Sequence, residues 1–292
     1  MNIGLHIISE TAKIRVGVGG WVFAPWRGTF YPPGLPQSRE LEYASRQLTA
    51  IEINGTFYGS QKPASFRRWH DETPDDFVFS LKGPRFATHR RELGEAGESI
   101  ERFFTSGVLE LGAKLGPVLW QFPGTKRFEP EDFGAFLALL PASIEGRKLR
   151  HVVEVSHESF AAPAFIDLLR KHRTALALVD STDRPAMFDL TADFVYARLR
   201  GSIEQEPTGY PQSALDAWAQ RFQTWAAGGE PNDPPRIHAK PAPAEKTCDC
   251  FVYFIGGAKI RAPAAAQALI ARLDQSSLPK PGRGQGKVRA GK

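Results

Sequence analysis

The chain has little of several things, and each shortage excludes a class of protein. Only two of its 292 residues are cysteine, Cys248 and Cys250 in one C-x-C, so it is not a disulfide-built scaffold. Thiols one residue apart on a strand share a face, where a disulfide would be badly strained. Zinc needs about four ligands, and only His238 lies near in sequence; the pair therefore reads as buried packing thiols. No stretch approaches the roughly 18 consecutive apolar residues of a membrane span, and mean hydropathy is −0.30. The opening MNIGLHIISETAK lacks a basic n-region and an A-x-A site, so no secretory signal is visible and the cytoplasm is the expected compartment. Gly17, Gly19 and Gly20 resemble a phosphate loop only superficially, because no G-x-G-x-x-G is present and no helix follows at once.

A net charge on the body is missing too. The pI near 9.2 and the formal charge of +5 suggest nucleic acid until the charge is located. Residues 279–292 (PKPGRGQGKVRAGK) hold Lys280, Arg283, Lys287, Arg289 and Lys292 and no acid. Five of the 37 bases lie there, so the other 32 balance the 32 acids. The basicity belongs to a Gly/Pro/Lys tail without periodicity, expected to be disordered.

What is present is an ordinary globular composition, 42% hydrophobic and 24% charged. Eight apolar runs of strand length recur: Ile14–Gly20, Ala50–Tyr58, Phe77–Pro84, Gly116–Pro123, His151–His157, Thr174–Ser181, Phe194–Gly201 and Cys250–Gly257. Most are V/I/L/F-rich, as in parallel strands buried on both faces. Helical spacing fills the gaps at Ser38–Leu48, Pro63–His70, Glu98–Leu115, Pro130–Leu140, Pro163–His172, Ser213–Ala227 and Pro263–Leu273. Pro63, Pro130, Pro163 and Pro263 stand near helix starts, where a missing N–H costs nothing. Only Thr182–Asp193 is too short for a good helix. This α/β alternation predicts a single (β/α)₈ TIM-barrel-like domain over 14–278, after a lead-in at 1–13; a doubly wound open sheet is the competing architecture. The Pro-rich segment 228–247 reads as a mobile surface insertion.

Polar residues sit late in these buried strands, where a barrel builds its active site. They are Glu52, Asn54, Lys82, Gln121, Glu154, His157, Asp180, Arg198 and Arg200. Charges inside a barrel are expensive unless paired. They form either a functional pocket or a set of compensating pairs such as Glu52–Lys82 and Glu154–Arg198. The first loop carries Trp21, Phe23, Trp26, Phe30 and Tyr31 around Arg27. It would wall a pocket with Arg27 as an anion clamp, or plug the barrel mouth. After the third strand, Arg85, His89, Arg90 and Arg91 form a basic loop where His89 would move protons, or a merely solvated one. His6, His70, His151 and His172 lie at strand starts or in helices and read as structural.

The motifs GWVFAPWRGTFYPPGLP, EINGTFYGS, LKGPRFATH, LWQFPGT, VEVSHESF and ADFVYARLRG, with Tyr210 and FVYF following, resemble the YecE-like family over about Ile14 to Leu273. The resemblance implies a TIM-barrel-like fold and no established activity. Glu52, Asn54, Tyr58, Lys82, Arg85, His89, Gln121, Glu154, His157, Asp180 and Tyr210 fit its pattern. Val22, Phe23, Val155, Ser156, Phe160, Arg200, Ile255 and Gly256 depart from it, which points to a different ligand or a lost activity.

Three functions follow. A hydrolase would use Glu52 and Glu154 facing each other across the lumen, with His89, His157 and Asp180 as further catalytic candidates. Trp26, Arg27, Asn54, Tyr58, Lys82, Arg85, Gln121, Arg198, Arg200 and Tyr210 would then bind a small anionic or polar substrate. The sequence requires no cofactor, although His89, His157, Glu154 and Asp180 leave room for a single divalent metal. The second is a nucleic-acid-binding or phosphodiester-processing protein, with the tail supplying nonspecific phosphate contacts. The third is a noncatalytic barrel that binds a small ligand.

Overall fold

The computed structural model describes residues 12–242 and 247–276. The basic tail at 279–292, most of the lead-in at 1–13 and His6 lie outside the described residues. Eight strands form the frame: β1 Ile14–Gly19, β2 Ala50–Ile53, β3 Val78–Lys82, β4 Leu115–Gln121, β5 His151–Glu154, β6 Ala175–Val179, β7 Phe194–Leu199 and β8 Asp249–Phe254. Each pairs in parallel with its neighbours in sequence, and β8 pairs with β1 from Ile14↔Cys250 to Val18↔Phe254. The sheet is thus a closed barrel, which eliminates the open doubly wound alternative.

Closure depends on small residues where backbones crowd. A side chain at Gly17 would put its Cβ 1.8 Å from the Ala50 carbonyl oxygen, so no other residue fits there. The helices longer than one turn are α1 Glu40–Gln47, α2 Pro63–Asp71, α3 Gly97–Thr105, α4 Pro130–Leu139, α5 Pro163–His172, α6 Gln212–Ala226 and α7 Ala262–Ser276. Pro63, Pro130 and Pro163 occupy first-turn positions, as the sequence predicts.

Two local expectations differ from the structure. The single helix over Glu98–Leu115 is interrupted: α3 ends at Thr105, Gly107 turns left-handed at φ 105°, and a tighter 3₁₀ segment Val108–Lys114 leads into β4. The second is a hairpin absent from the sequence reading. Ser143–Ile144 pairs antiparallel with Arg147–Lys148, and Glu145 and Gly146 both take positive φ, as a type I′ turn requires.

Strand alternation divides the buried side chains into two sets. Outward-facing residues such as Val16, Ile51, Leu81 and Val153 pack under the helices in a large apolar layer. Inside the barrel sit Ala50, Leu119, Val152, Phe194, Tyr196 and Tyr253. The two tyrosine rings pack 5.2 Å apart, and the Tyr253 hydroxyl hydrogen-bonds Ser80 Oγ at 2.7 Å. At the N-terminal end, His151 accepts from Trp120 Nε1 (3.2 Å) and faces the Pro141 carbonyl (2.8 Å); burial pushes its pKa down to about 4. It is structural, as expected.

The described part of the Pro-rich connection is held against the body. The buried Asp189 carboxylate accepts the backbone N–H of Ile237 and of His238, both at 2.8 Å. The Phe188 N–H donates to the Pro235 carbonyl at 3.1 Å. This is not the hanging loop that its composition suggests. Both thiols of the C-x-C are buried, and burial lifts the Cys250 pKa well above its usual value.

Candidate functional site

The C-terminal ends of the strands surround a cavity of about 670 Å³. Its floor comes from inward-facing strand-end residues: Lys82 of β3, Gln121 of β4 and Arg198 of β7. Arg200, Asn54 and Tyr58 follow from the loops after β7 and β2, and Lys259 from the loop after β8. Trp21, Val22 and Trp26 form one wall. Four cations and no carboxylate line this space.

The two glutamates lie beneath it. Glu52 is fully buried and receives Arg198 in a two-toothed contact, Nε to Oε2 and Nη2 to Oε1, both 3.0 Å. The Tyr196 hydroxyl donates to Glu52 Oε2 at 2.7 Å. The third nitrogen of Arg198, Nη1, is bound to Glu154 Oε2. Glu154 Oε1 takes Gln121 Nε2 at 2.8 Å and Arg184 Nη1 at 3.0 Å, with Arg200 Nη1 at 3.8 Å. Burial alone would lift the Glu154 carboxyl, but the Arg198 guanidinium, Gln121 and Arg184 together draw it down to about 2.

One guanidinium thus bridges both carboxylates. The facing acid/base pair expected from sequence is instead an ion network with its oxygens occupied. Of the two compensating pairs, Glu154–Arg198 is present; Glu52 pairs with Arg198 rather than with Lys82.

Trp26, Asn54, Tyr58, Lys82, Gln121, Arg198 and Arg200 meet at the cavity; the other expected site residues do not line it. Arg27 donates to the buried Glu40 at 2.7 Å and to Gln37 at 3.0 Å, so it fastens the first loop to α1. Arg85 opens the helical turn Arg85–Thr88 and His89 closes it, and His89 is held down in pKa by partial burial and by the Arg85 and Lys82 charges. His157 caps the 158–160 turn, its Nδ1 accepting the Ser159 N–H at 3.1 Å. Asp180 accepts the Gly201 N–H at 3.1 Å, the Arg200 N–H, and the buried Tyr210 hydroxyl at 2.7 Å. Burial raises its pKa. Asp180 and Tyr210 latch the loop after β7.

His89, His157, Glu154 and Asp180 therefore do not form one cluster. Among the described residues, no three His, Cys, Asp or Glu side chains come together as a metal-binding group.

The sequence reading missed Arg184 and Lys259. Arg184 lies five residues after β6, in the segment too short for a good helix, and its only sequence signal is a lone cation in the loop after a strand end. Lys259 Nζ lies 4.6 Å from the Phe23 ring and 5.7 Å from the Trp26 ring. The first loop is a wall rather than a plug: Trp26 Nε1 donates to the Lys259 carbonyl at 3.0 Å, tying it to the loop after β8.

The departures from the YecE-like pattern divide in the same way. Val155 and Phe160 are buried in the outer apolar layer and do not touch the ligand space. Val22, Arg200, Ile255 and Gly256 line the cavity. Gly256 has φ +72° with Arg200 Nε 3.5 Å from the position a Cβ would take, and at Gly257 (φ +51°) the Arg200 carbonyl oxygen would be 2.5 Å from one.

Fold and site define a (β/α)₈ barrel with a buried arginine–carboxylate network beneath a cationic mouth. Within that class, the chain belongs to the family described as protein of unknown function DUF72, whose family model matches residues 15–285. It is 32% identical over 125 residues to UPF0759 protein YecE of Escherichia coli (strain K12), covering 42% of this chain and 43% of that relative. To UPF0759 protein YunF of Bacillus subtilis (strain 168) it is 28% identical over 115 residues, 38% of this chain and 40% of that one. Each match thus spans less than half of the curated relative's length. A crystal structure of a DUF72 family protein from Thermotoga maritima has the same fold, with TM-score 0.66 and 22% identity, covering 90% of this chain and 98% of that one. No helix among the described residues is long and apolar enough to cross a membrane.

Proposed function

We propose that the barrel mouth binds a small anionic molecule carrying a flat or apolar body. The observation that supports this most directly is the lining: Lys82, Arg198, Arg200 and Lys259 face the space and no carboxylate does. Arg198 is neutralised by Glu52 and Glu154, which leaves Lys82, Arg200 and Lys259 to meet the anion. Gln121 and Asn54 offer amide hydrogen bonds beside them, while Trp21 and the exposed ring of Tyr58 suit a planar body.

In this reading Glu52 and Glu154 are positioning residues that hold Arg198. A hydrolase working on such a ligand would draw its proton transfers from the mouth rather than from that pair.

Titration calorimetry with inorganic phosphate and with benzoate, on the full chain, tests the reading. Both anions are expected to bind, and Arg200→Ala to weaken phosphate at least tenfold while the melting temperature without ligand stays within about 2 °C of the parent. Equal binding by Arg200→Ala, or none by the parent, overturns it.

A further inference from the structure

We propose that Lys82 is an amine nucleophile, condensing with the carbonyl group of an anionic aldehyde or oxo acid held in the barrel mouth. This rests on the anion-binding reading and goes beyond it by naming a reacting atom and a substrate class.

The case begins with placement. Lys82 ends β3, and its own carbonyl is fixed by the Thr56 hydroxyl at 2.7 Å, so the root of the side chain is rigid. The residue is only 6% exposed, yet it lines the cavity. Its Nζ rests 3.9 Å from the centre of the Phe57 ring and makes no hydrogen bond or ion pair with any described residue. The other buried lysine differs: Lys114 donates to the carbonyls of His70 and Thr73 and to the Thr73 hydroxyl. Lys126, half-sheltered, is paired with Asp132 at 2.7 Å. Lys82 alone combines burial, access to a cavity and an unoccupied amine among the described residues.

Burial favours the neutral amine, and the charges around it are divided. Arg198 and Arg200 oppose a further cation here; Glu52 and Glu154 favour one but are already bonded to Arg198. Burial, the largest influence, and the two guanidiniums push the Lys82 pKa down to about 8. About one molecule in ten then carries the free amine at pH 7, against roughly one in two thousand or fewer for an ordinary lysine. This is the recognised route to a reactive lysine: desolvation beside other cations.

The step balances without a co-reactant. The Nζ lone pair forms a C–N bond as the carbonyl π pair moves to oxygen. Both amine protons pass to that oxygen, which leaves as water as the C=N bond closes. Arg200 and Lys259 would hold the anionic group and orient the carbonyl.

Pyridoxal 5′-phosphate, an aromatic aldehyde with an anionic group, serves as the probe. The full-length protein is treated with a limiting amount, reduced with borohydride, and mapped by peptide mass spectrometry. The expected result is a reduced adduct on Lys82 ahead of exposed lysines such as Lys62, Lys171 and Lys240, with a labelling rate that climbs as pH rises through 8 and protection by inorganic phosphate. Lys82→Arg keeps a cation that cannot condense with a carbonyl, and is expected to lose the adduct at this position. Labelling on Lys259 or spread over surface lysines, with phosphate still bound, overturns the nucleophile and leaves the anion site standing. Equal labelling of Lys82 by pyridoxal lacking the phosphate, with no protection, keeps the nucleophile and removes the anion reading. Neither binding nor a Lys82 adduct removes both.

Discussion

Arg198 is the residue on which the top of the barrel depends, because all its bonding nitrogens are committed to two buried carboxylates on other strands. Removing one partner from a buried pair typically costs about 3–5 kcal/mol, since the remaining charge is stranded. Arg198→Met strands Glu52 and leaves Glu154 with Arg184 and Gln121, so it is expected to destabilise by about that amount in urea unfolding at pH 7. A loss below about 1 kcal/mol would mean the network is not holding the strands. Glu154 makes the same network sensitive to acid. Its folded pKa of about 2 lies below the ordinary 4.5, so the folded state binds its proton less readily than the unfolded state. Its stabilisation is complete above pH 4.5 and disappears as pH falls through 2. Glu154→Gln should lower stability at pH 7 and flatten its pH dependence between 4.5 and 2; an unchanged acid limb would contradict the assignment. The polar strand ends were legible in the sequence because charge late in an apolar run stands out. Their partners were not, because which long side chain crosses the lumen to which strand depends on barrel stagger. A Glu52–Lys82 pair would join neighbouring strands, whereas the forked Arg198 takes that carboxylate from across the barrel.

At the scale of elements, eight strands and most helix starts were readable from periodicity and from proline at the first turn. The break after α3 was not, because Phe103, Phe104, Val108 and Leu111 keep helical spacing across Gly107. A glycine inside an apolar stripe gives little warning that φ is positive there. The Pro-rich connection shows a different limit. Composition marks it as irregular, but its anchor, Asp189, is 48 residues away from Ile237 in sequence. Asp189 is 1% exposed and holds two backbone N–H groups. Asp189→Ala leaves both donors without their acceptor, a cost of about 2–4 kcal/mol at one to two per group. The expected signature is faster limited proteolysis within 228–242 while phosphate binding at the mouth, on the other strands' ends, persists. Unchanged cleavage would show that the Phe188–Pro235 contact and neighbouring packing hold the segment alone.

On the scale of the whole molecule, cationic charge comes from two parts of the sequence, the cavity lining and residues 279–292, and net charge describes neither. The mouth presents cations whose counter-charges are buried beneath them, a geometry for one small anion at short range. The tail at 279–292 carries five cations and no acid; it is proposed to make nonspecific contacts with nucleic acid, through phosphates alone. These two sources of affinity respond differently to salt and to deletion. A tail neutralising up to five phosphates on duplex DNA gives a slope of log affinity against log salt of at most about −4.5. Deleting residues 279–292 should remove that slope and the DNA binding with it, measured by fluorescence anisotropy on a duplex, and leave phosphate titration of the mouth unchanged. Arg200→Ala should do the reverse. If duplex affinity survives the deletion and falls with Arg200→Ala, the mouth itself engages the nucleic-acid backbone, and the small-anion reading has to give way to a polymeric one. The two variants separate the cases because the buried glutamates cancel Arg198 locally, so that losing Arg200 removes cationic charge that faces the ligand space, whereas the deletion removes five cations and no acid from the sequence.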